Sequence, residues 1–115
     1  MKYNCFGRIG VLQSNYNKGR TATHEVSHWF NVYHIWGDAT CGDDLVSDTP
    51  TQENANYDHP VFPLASPCSI NSNGDMFMNY MDYTDDLCMF MFSEGQKLRT
   101  RAIFAVGGAR ASFNL

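Results

Sequence analysis

Apolar side chains at Val26, Trp29 and Phe30 fall at helical spacing, and the pattern predicts a helix over residues 18–31 with Asn17 as its N-cap. A second helical pattern, Leu98, Ala102, Ala105 and Val106, opens behind Ser93-Glu94-Gly95-Gln96 and closes at Gly107-Gly108. Ser followed three residues later by Gln is a capping box, so a helix is expected over 94–106. Residues 3–13 (YNCFGRIGVLQ) mix apolar and β-favouring residues ahead of the turn-like SNYNKG and read as a strand. From residue 32 to about 88 neither period persists, and this stretch holds all four prolines and most of the Asp and Asn. Ordinary loops are far shorter, so ions or disulfides are expected to hold it.

Within the first helix, His24-Glu25-Val26-Ser27-His28 places two imidazoles one turn apart on the same face with a carboxylate beside the first. That is ligand geometry for zinc, which in a catalytic site takes a third protein ligand and keeps a fourth position open. His34 is the candidate third ligand. On an unbroken helix it would stand ~80° around from His24 and ~15 Å along the axis, so the helix must end first. Asn31 sits where that break is needed, and Asn tolerates the left-handed conformation better than any residue but Gly. The competing arrangement, with a downstream Glu as third ligand, has only Glu53 to offer, in surroundings (Pro50-Thr51-Gln52) that are not helical.

Charge sharpens this picture. All eight Lys and Arg lie at or before Arg20 or at or after Lys97, while residues 21–96 carry all twelve acids; the formal net charge is −4. So negative a segment is either solvated or neutralised by metal ions, and it argues against nucleic acid as a partner. In Gly42-Asp43-Asp44-Leu45-Val46-Ser47-Asp48-Thr49-Pro50, Asp43, Asp44 and Asp48 offer closely spaced oxygens, as calcium prefers, without the Gly and closing Glu of an EF-hand. At 115 residues, 43% hydrophobic, the chain is one domain, with no apolar run long enough to span a membrane and no signal-peptide core. Cys5, Cys41, Cys68 and Cys88 are too widely spaced for a zinc ribbon and allow one or two bridges.

Three blocks, HEVSHWFNVYHIWGD (His24–Asp38), CGDDLVSDTP (Cys41–Pro50) and GDMFMNYMDYTDDLC (Gly74–Cys88), together resemble the pappalysin and cytophagalysin family of metzincin zinc endopeptidases. The resemblance covers about residues 17–108, with Asn31 standing where Gly is usual and Ser27 where Gly is common. It implies zinc held by His24, His28 and His34, with Glu25 as general base. It implies a Met-turn at Asn79-Tyr80-Met81-Asp82-Tyr83, with Met81 as an apolar floor and the Tyr83 hydroxyl aimed at the metal and the oxyanion. Read without the family, Met76, Met78, Met81, Met89 and Met91 are an adaptable apolar set. The resemblance further implies calcium at the acidic block, a Cys41–Cys68 bridge, and a Cys88 whose usual partner position is occupied by His59.

The fold implied is α+β: a partial metzincin-like domain spanning 1–115, with active-site helix, long irregular segment and C-terminal helix. The upper sheet is largely missing, apart from an edge strand near Phe6–Leu12. A lone edge strand needs partners, so the chain is expected to be part of something larger. The implied function is a secreted zinc endopeptidase acting on peptides or proteins, although no signal is present in these 115 residues. The alternative is a truncated, non-catalytic remnant that keeps zinc but lacks the substrate-binding subdomain.

Overall fold

The computed structural model describes Cys5, residues 13–70 and residues 72–113. Helix α1 runs Arg20–Trp29 and helix α2 Glu94–Ala102, with short 3-10 turns at Ser14–Tyr16, Asp86–Cys88 and Ala111–Phe113. Among the described residues there is no strand. One isolated parallel bridge joins Asn79 to Met91. The expected β component is therefore not found among them, and the strand expected over 3–13 lies almost wholly outside the described residues.

Helix α1 is shorter at both ends than the expected 18–31. Its N-cap is Gly19, left-handed at φ 79°, rather than Asn17, and no side chain of its own segment caps it. Asp86 does so from across the fold: its Oδ2 accepts the backbone N–H groups of Lys18 (2.8 Å) and Arg20 (3.2 Å). A carboxylate there satisfies free N–H groups and complements the helix dipole. At the other end Asn31 adopts φ 67°, as the broken-helix argument required. The two residues on the far side of the break are tied back by Asn31 N–H to His28 O (2.9 Å) and Val32 N–H to Ser27 O (3.0 Å).

The apolar stripe of α1 is largely uncovered. Val26 and Trp29 are exposed, while His24 and Ser27 are the buried positions of α1. The polar face points inward because the ligand-bearing side is what the irregular segment packs against. The outer face, with Val26 and Phe30 at its end, borders an open groove of about 680 Å³ lined on the other side by Phe92 and α2.

Helix α2 begins as expected, with the Ser93 hydroxyl accepting from Gln96 N–H and the Gln96 side chain returning to Ser93 N–H. It ends at Ala102 rather than 106. There the bonding tightens to i→i−3 steps, Phe104 to Arg101 and Ala105 to Ala102. Of its apolar positions, Leu98 is exposed, as is Val106 beyond its end, while Ile103 at its C-cap is buried.

The core is small: Val32, Ile35 and Met81, with Trp36 and Met76 packed against them. Much of the irregular segment is held by buried polar groups. Asp82 accepts from Gln52 Nε2 (2.9 Å), Asn56 N (2.7 Å), Asn56 Nδ2 (3.0 Å) and Tyr83 N (2.8 Å). Asp75 accepts from the Ser66 and Ser69 hydroxyls. Cys41 and Cys68 form a disulfide, and Cys88 is a free thiol.

Candidate metal centre

Three histidines arrive from two directions. His24 and His28 stand one turn apart on α1, and the left-handed break at Asn31 turns the chain so that His34 comes back to them. His28 Nε2 lies 3.1 Å from His24 Nε2 and 3.1 Å from His34 Nε2. Nitrogens on a tetrahedral zinc at ~2.0–2.1 Å stand ~3.3 Å apart, so the spacing is that of ligands around one ion.

The outer ring nitrogens decide the protonation. His24 Nδ1 is 2.7 Å from Tyr80 O, His28 Nδ1 is 2.8 Å from Val32 O, and His34 Nδ1 is 2.6 Å from Asp38 Oδ1. Carbonyls and carboxylates only accept, so each Nδ1 carries the proton and donates. Each Nε2 of a neutral ring then presents a lone pair, and the three lone pairs face one another. That is electrostatically unfavourable unless a cation sits among them, and this donor set fits zinc. Burial pushes the His24 pKa down to about 4, which keeps that ring neutral and ready to ligate at neutral pH. Among the described residues, these three form the group of His, Cys, Asp or Glu side chains placed to hold a metal.

Around the histidines stand the other expected residues. The Tyr83 hydroxyl is 3.1 Å from His34 Nε2, on the side where the lone pairs converge. Burial first, then the nearby Asp38, Tyr57 and Glu25 charges, raise the Tyr83 pKa, so the phenol remains a proton donor at neutral pH. Glu25 is exposed and shares a cavity of about 480 Å³ with His24, Tyr57 and Tyr83. Met81 is fully buried in a turn closed by Asp82 N–H to Asn79 O (3.1 Å), and its own carbonyl accepts Ile35 N–H (3.2 Å). The same turn supplies the Tyr80 carbonyl that orients His24.

The three acids of the acidic block make different contacts. Asp43 is exposed and accepts Leu45 N–H (2.8 Å), and Asp48 accepts Gly95 N–H (2.9 Å) at the start of α2. Asp44 alone of the three is buried. His59 lies outside the histidine cluster and pairs with Asp85 Oδ2 at 3.2 Å. Two contributors escaped the sequence reading: Asp38, which lay inside a quoted block without a role, and Asp86, the cap of α1. A carboxylate four residues after the last histidine was a usable signal for Asp38; no local signal marks Asp86.

The model of the peptidase family described as pregnancy-associated plasma protein-A matches residues 3–105. The chain belongs to this family. Extracellular metalloproteases of Verticillium alfalfae (43% identical over 94 residues, 81% of this chain) and Pyricularia oryzae (44% over 94 residues, 80%) are similar to it. It spans 33% and 32% of those two proteins. Among solved structures, mature mirolysin of Tannerella forsythia in complex with a cleaved peptide superposes with a TM-score of 0.91 at 48% identity, covering 98% of this chain and 43% of that one. Fold and family thus agree with the three-block resemblance.

Proposed function

We propose that this chain carries the zinc centre of a metalloendopeptidase that hydrolyses peptide bonds in peptides or proteins. The observation that carries the reading is the convergence of three Nε2 lone pairs whose rings are all locked by outward Nδ1–H hydrogen bonds. Zinc bound there supplies Lewis acidity, polarising a carbonyl and acidifying water. Glu25, beside His24 and open to the cavity, takes the proton from the attacking water and passes it to the leaving amine. Tyr83, held protonated, donates to the oxygen that gains negative charge. Met81 and the 79–83 turn act as the Met-turn, holding the Tyr80 carbonyl against His24. The relatives' names support an extracellular setting, and no helix among the described residues is long and apolar enough to cross a membrane.

Calcium is proposed at Asp44. One hydroxyl proton on Thr49 faces three acceptors, Asp44 Oδ1 (2.9 Å), Asp44 Oδ2 (2.7 Å) and Val46 O (2.9 Å). So many oxygens around one proton suit a hard cation better than a single hydroxyl.

The test combines bound-zinc analysis with cleavage of an unfolded protein substrate, for the native chain and Glu25→Ala. About one zinc per chain in both, with cleavage lost in Glu25→Ala, is expected. Zinc in both with no cleavage by either supports the non-catalytic remnant instead. Absence of zinc from the native chain rejects both.

A further inference from the structure

The three ligand rings are not oriented alike. His24 and His28 donate Nδ1–H to backbone carbonyls, whereas His34 donates to a side-chain carboxylate, Asp38 Oδ1 at 2.6 Å. His34 is also the one ligand outside a helix, so nothing regular fixes its ring. The chain following it is shaped to bring a carboxylate back. Gly37 N–H closes a turn on His34 O (2.9 Å), and Gly37 and Asp38 are successive left-handed residues at φ 67° and 56°. A Cβ at Gly37 would collide with the backbone of Gly42 and Asp43, so the turn is packed against the disulfide-bonded loop. Trp36 lies flat on the His34 ring, centroids 4.4 Å apart and planes 11° apart, and belongs to the packed core.

We propose that Asp38 is a positioning residue for the metal centre, which with Trp36 clamps the His34 ring and raises its donor strength. The inference rests on reading the three histidines as a zinc site. Trp36 fixes the plane of the ring, and Asp38 fixes its rotation within that plane and the Nδ1–H tautomer. A carboxylate partner makes an imidazole more electron-rich than a carbonyl does, so His34 becomes the strongest of the three donors. Asp38 achieves this while 66% exposed, on a left-handed residue that L side chains other than Asn and Asp seldom adopt.

Two substitutions separate the terms. Asp38→Asn keeps the left-handed preference and a carbonyl acceptor but removes the charge. Asp38→Gly removes the acceptor and relieves the backbone. Zinc affinity, read by competition with a chromophoric chelator, is expected to fall about 10–100-fold in Asp38→Gly and about 3–10-fold in Asp38→Asn. The visible absorption bands of the cobalt-loaded protein are expected to shift in Asp38→Gly. The thermal unfolding of the metal-free chain is expected to be unchanged or raised. Native-like zinc affinity and cobalt spectra in both variants would overturn the inference and leave the zinc site standing. A fall in metal-free stability that accounts for the lost affinity would also overturn it, because the role would then be structural. If the native chain and His34→Ala bind zinc equally weakly, the site reading itself fails.

Discussion

The side-chain amides of Asn79 and Gln96 exchange two hydrogen bonds, Asn79 Nδ2 to Gln96 Oε1 (2.8 Å) and Gln96 Nε2 to Asn79 Oδ1 (3.1 Å), with both residues buried. Gln96 Oε1 also accepts Ser93 N–H, and Asn79 Oδ1 also accepts Met81 N–H. The cap of α2 and the turn around Met81 are therefore one polar unit, and α2 reaches the histidines through it. Gln96→Ala leaves the Ser93 N–H without its partner and Asn79 Nδ2 with only the Met76 sulfur at 3.4 Å, and it opens a cavity where a fully buried side chain stood. It is expected to cost about 2–4 kcal/mol in urea unfolding, and to weaken zinc binding through His24, whose Nδ1 rests on the same turn.

Asn31 makes a separate prediction about the helix break. At φ 67° it holds the conformation that lets His34 return, and Arg99 Nε donates to its carbonyl at 2.5 Å. Asn31→Gly is expected to leave stability and zinc affinity within about 0.5 kcal/mol of native, since Gly enters that region freely. Asn31→Val is expected to destabilise by about 2 kcal/mol or more and to lose zinc disproportionately, because a β-branched residue drives the chain back toward the helix or an extended path. Equal zinc affinity in the two variants would disprove the link between the break and the site.

These two cases show what was readable in the chain. The histidine spacing, the break at Asn31 and the capping box at Ser93 are all written within a few residues, and the structure contains the predicted break and box. What eluded the reading depends on contacts between distant residues. The cap of α1 comes from Asp86, 66 to 68 positions away from the N–H groups it serves. Periodicity located the face of α1 carrying Val26 and Trp29 but not which side of the helix would be covered, since covering depends on how the irregular segment folds back. Nothing local in the sequence marks Gly95 N–H, 47 positions away, as the group that Asp48 accepts from.

The disulfide should matter in proportion to the loop it closes. Cys41 and Cys68 are 27 residues apart, and the segment between them has no regular secondary structure to hold it. Loop-closure entropy for that length gives about 3–4 kcal/mol. The Cys41→Ser, Cys68→Ser double variant is expected to lose about that much in urea unfolding. Because Gly37 packs on the loop next to Cys41, zinc affinity should fall as well. A loss below about 1 kcal/mol would show that the polar network around Asp75 and Asp82 already holds the segment.

Acid should reveal the role of Asp48. The slight burial of its carboxyl raises its pKa, but hydrogen bonds from Gly95 N–H, the Ser93 hydroxyl and neighbouring backbone outweigh this and leave the value below the ordinary 3.8. A carboxyl depressed in the folded state binds its proton less readily than in the unfolded chain. Its stabilisation is therefore present above the unfolded value and disappears as pH falls through the folded one. Between pH 5 and 2 the native chain is expected to lose stability more steeply than Asp48→Asn, which cannot titrate but still accepts from Gly95 N–H. At pH 7 the order reverses, with Asp48→Asn slightly weaker because a neutral amide complements the start of α2 less well than a carboxylate. Metal-free protein should be used, so that protonation of the histidine ligands does not obscure the comparison. Parallel stability curves for the two proteins across that range would mean that the carboxylate contributes nothing to α2 beyond its geometry.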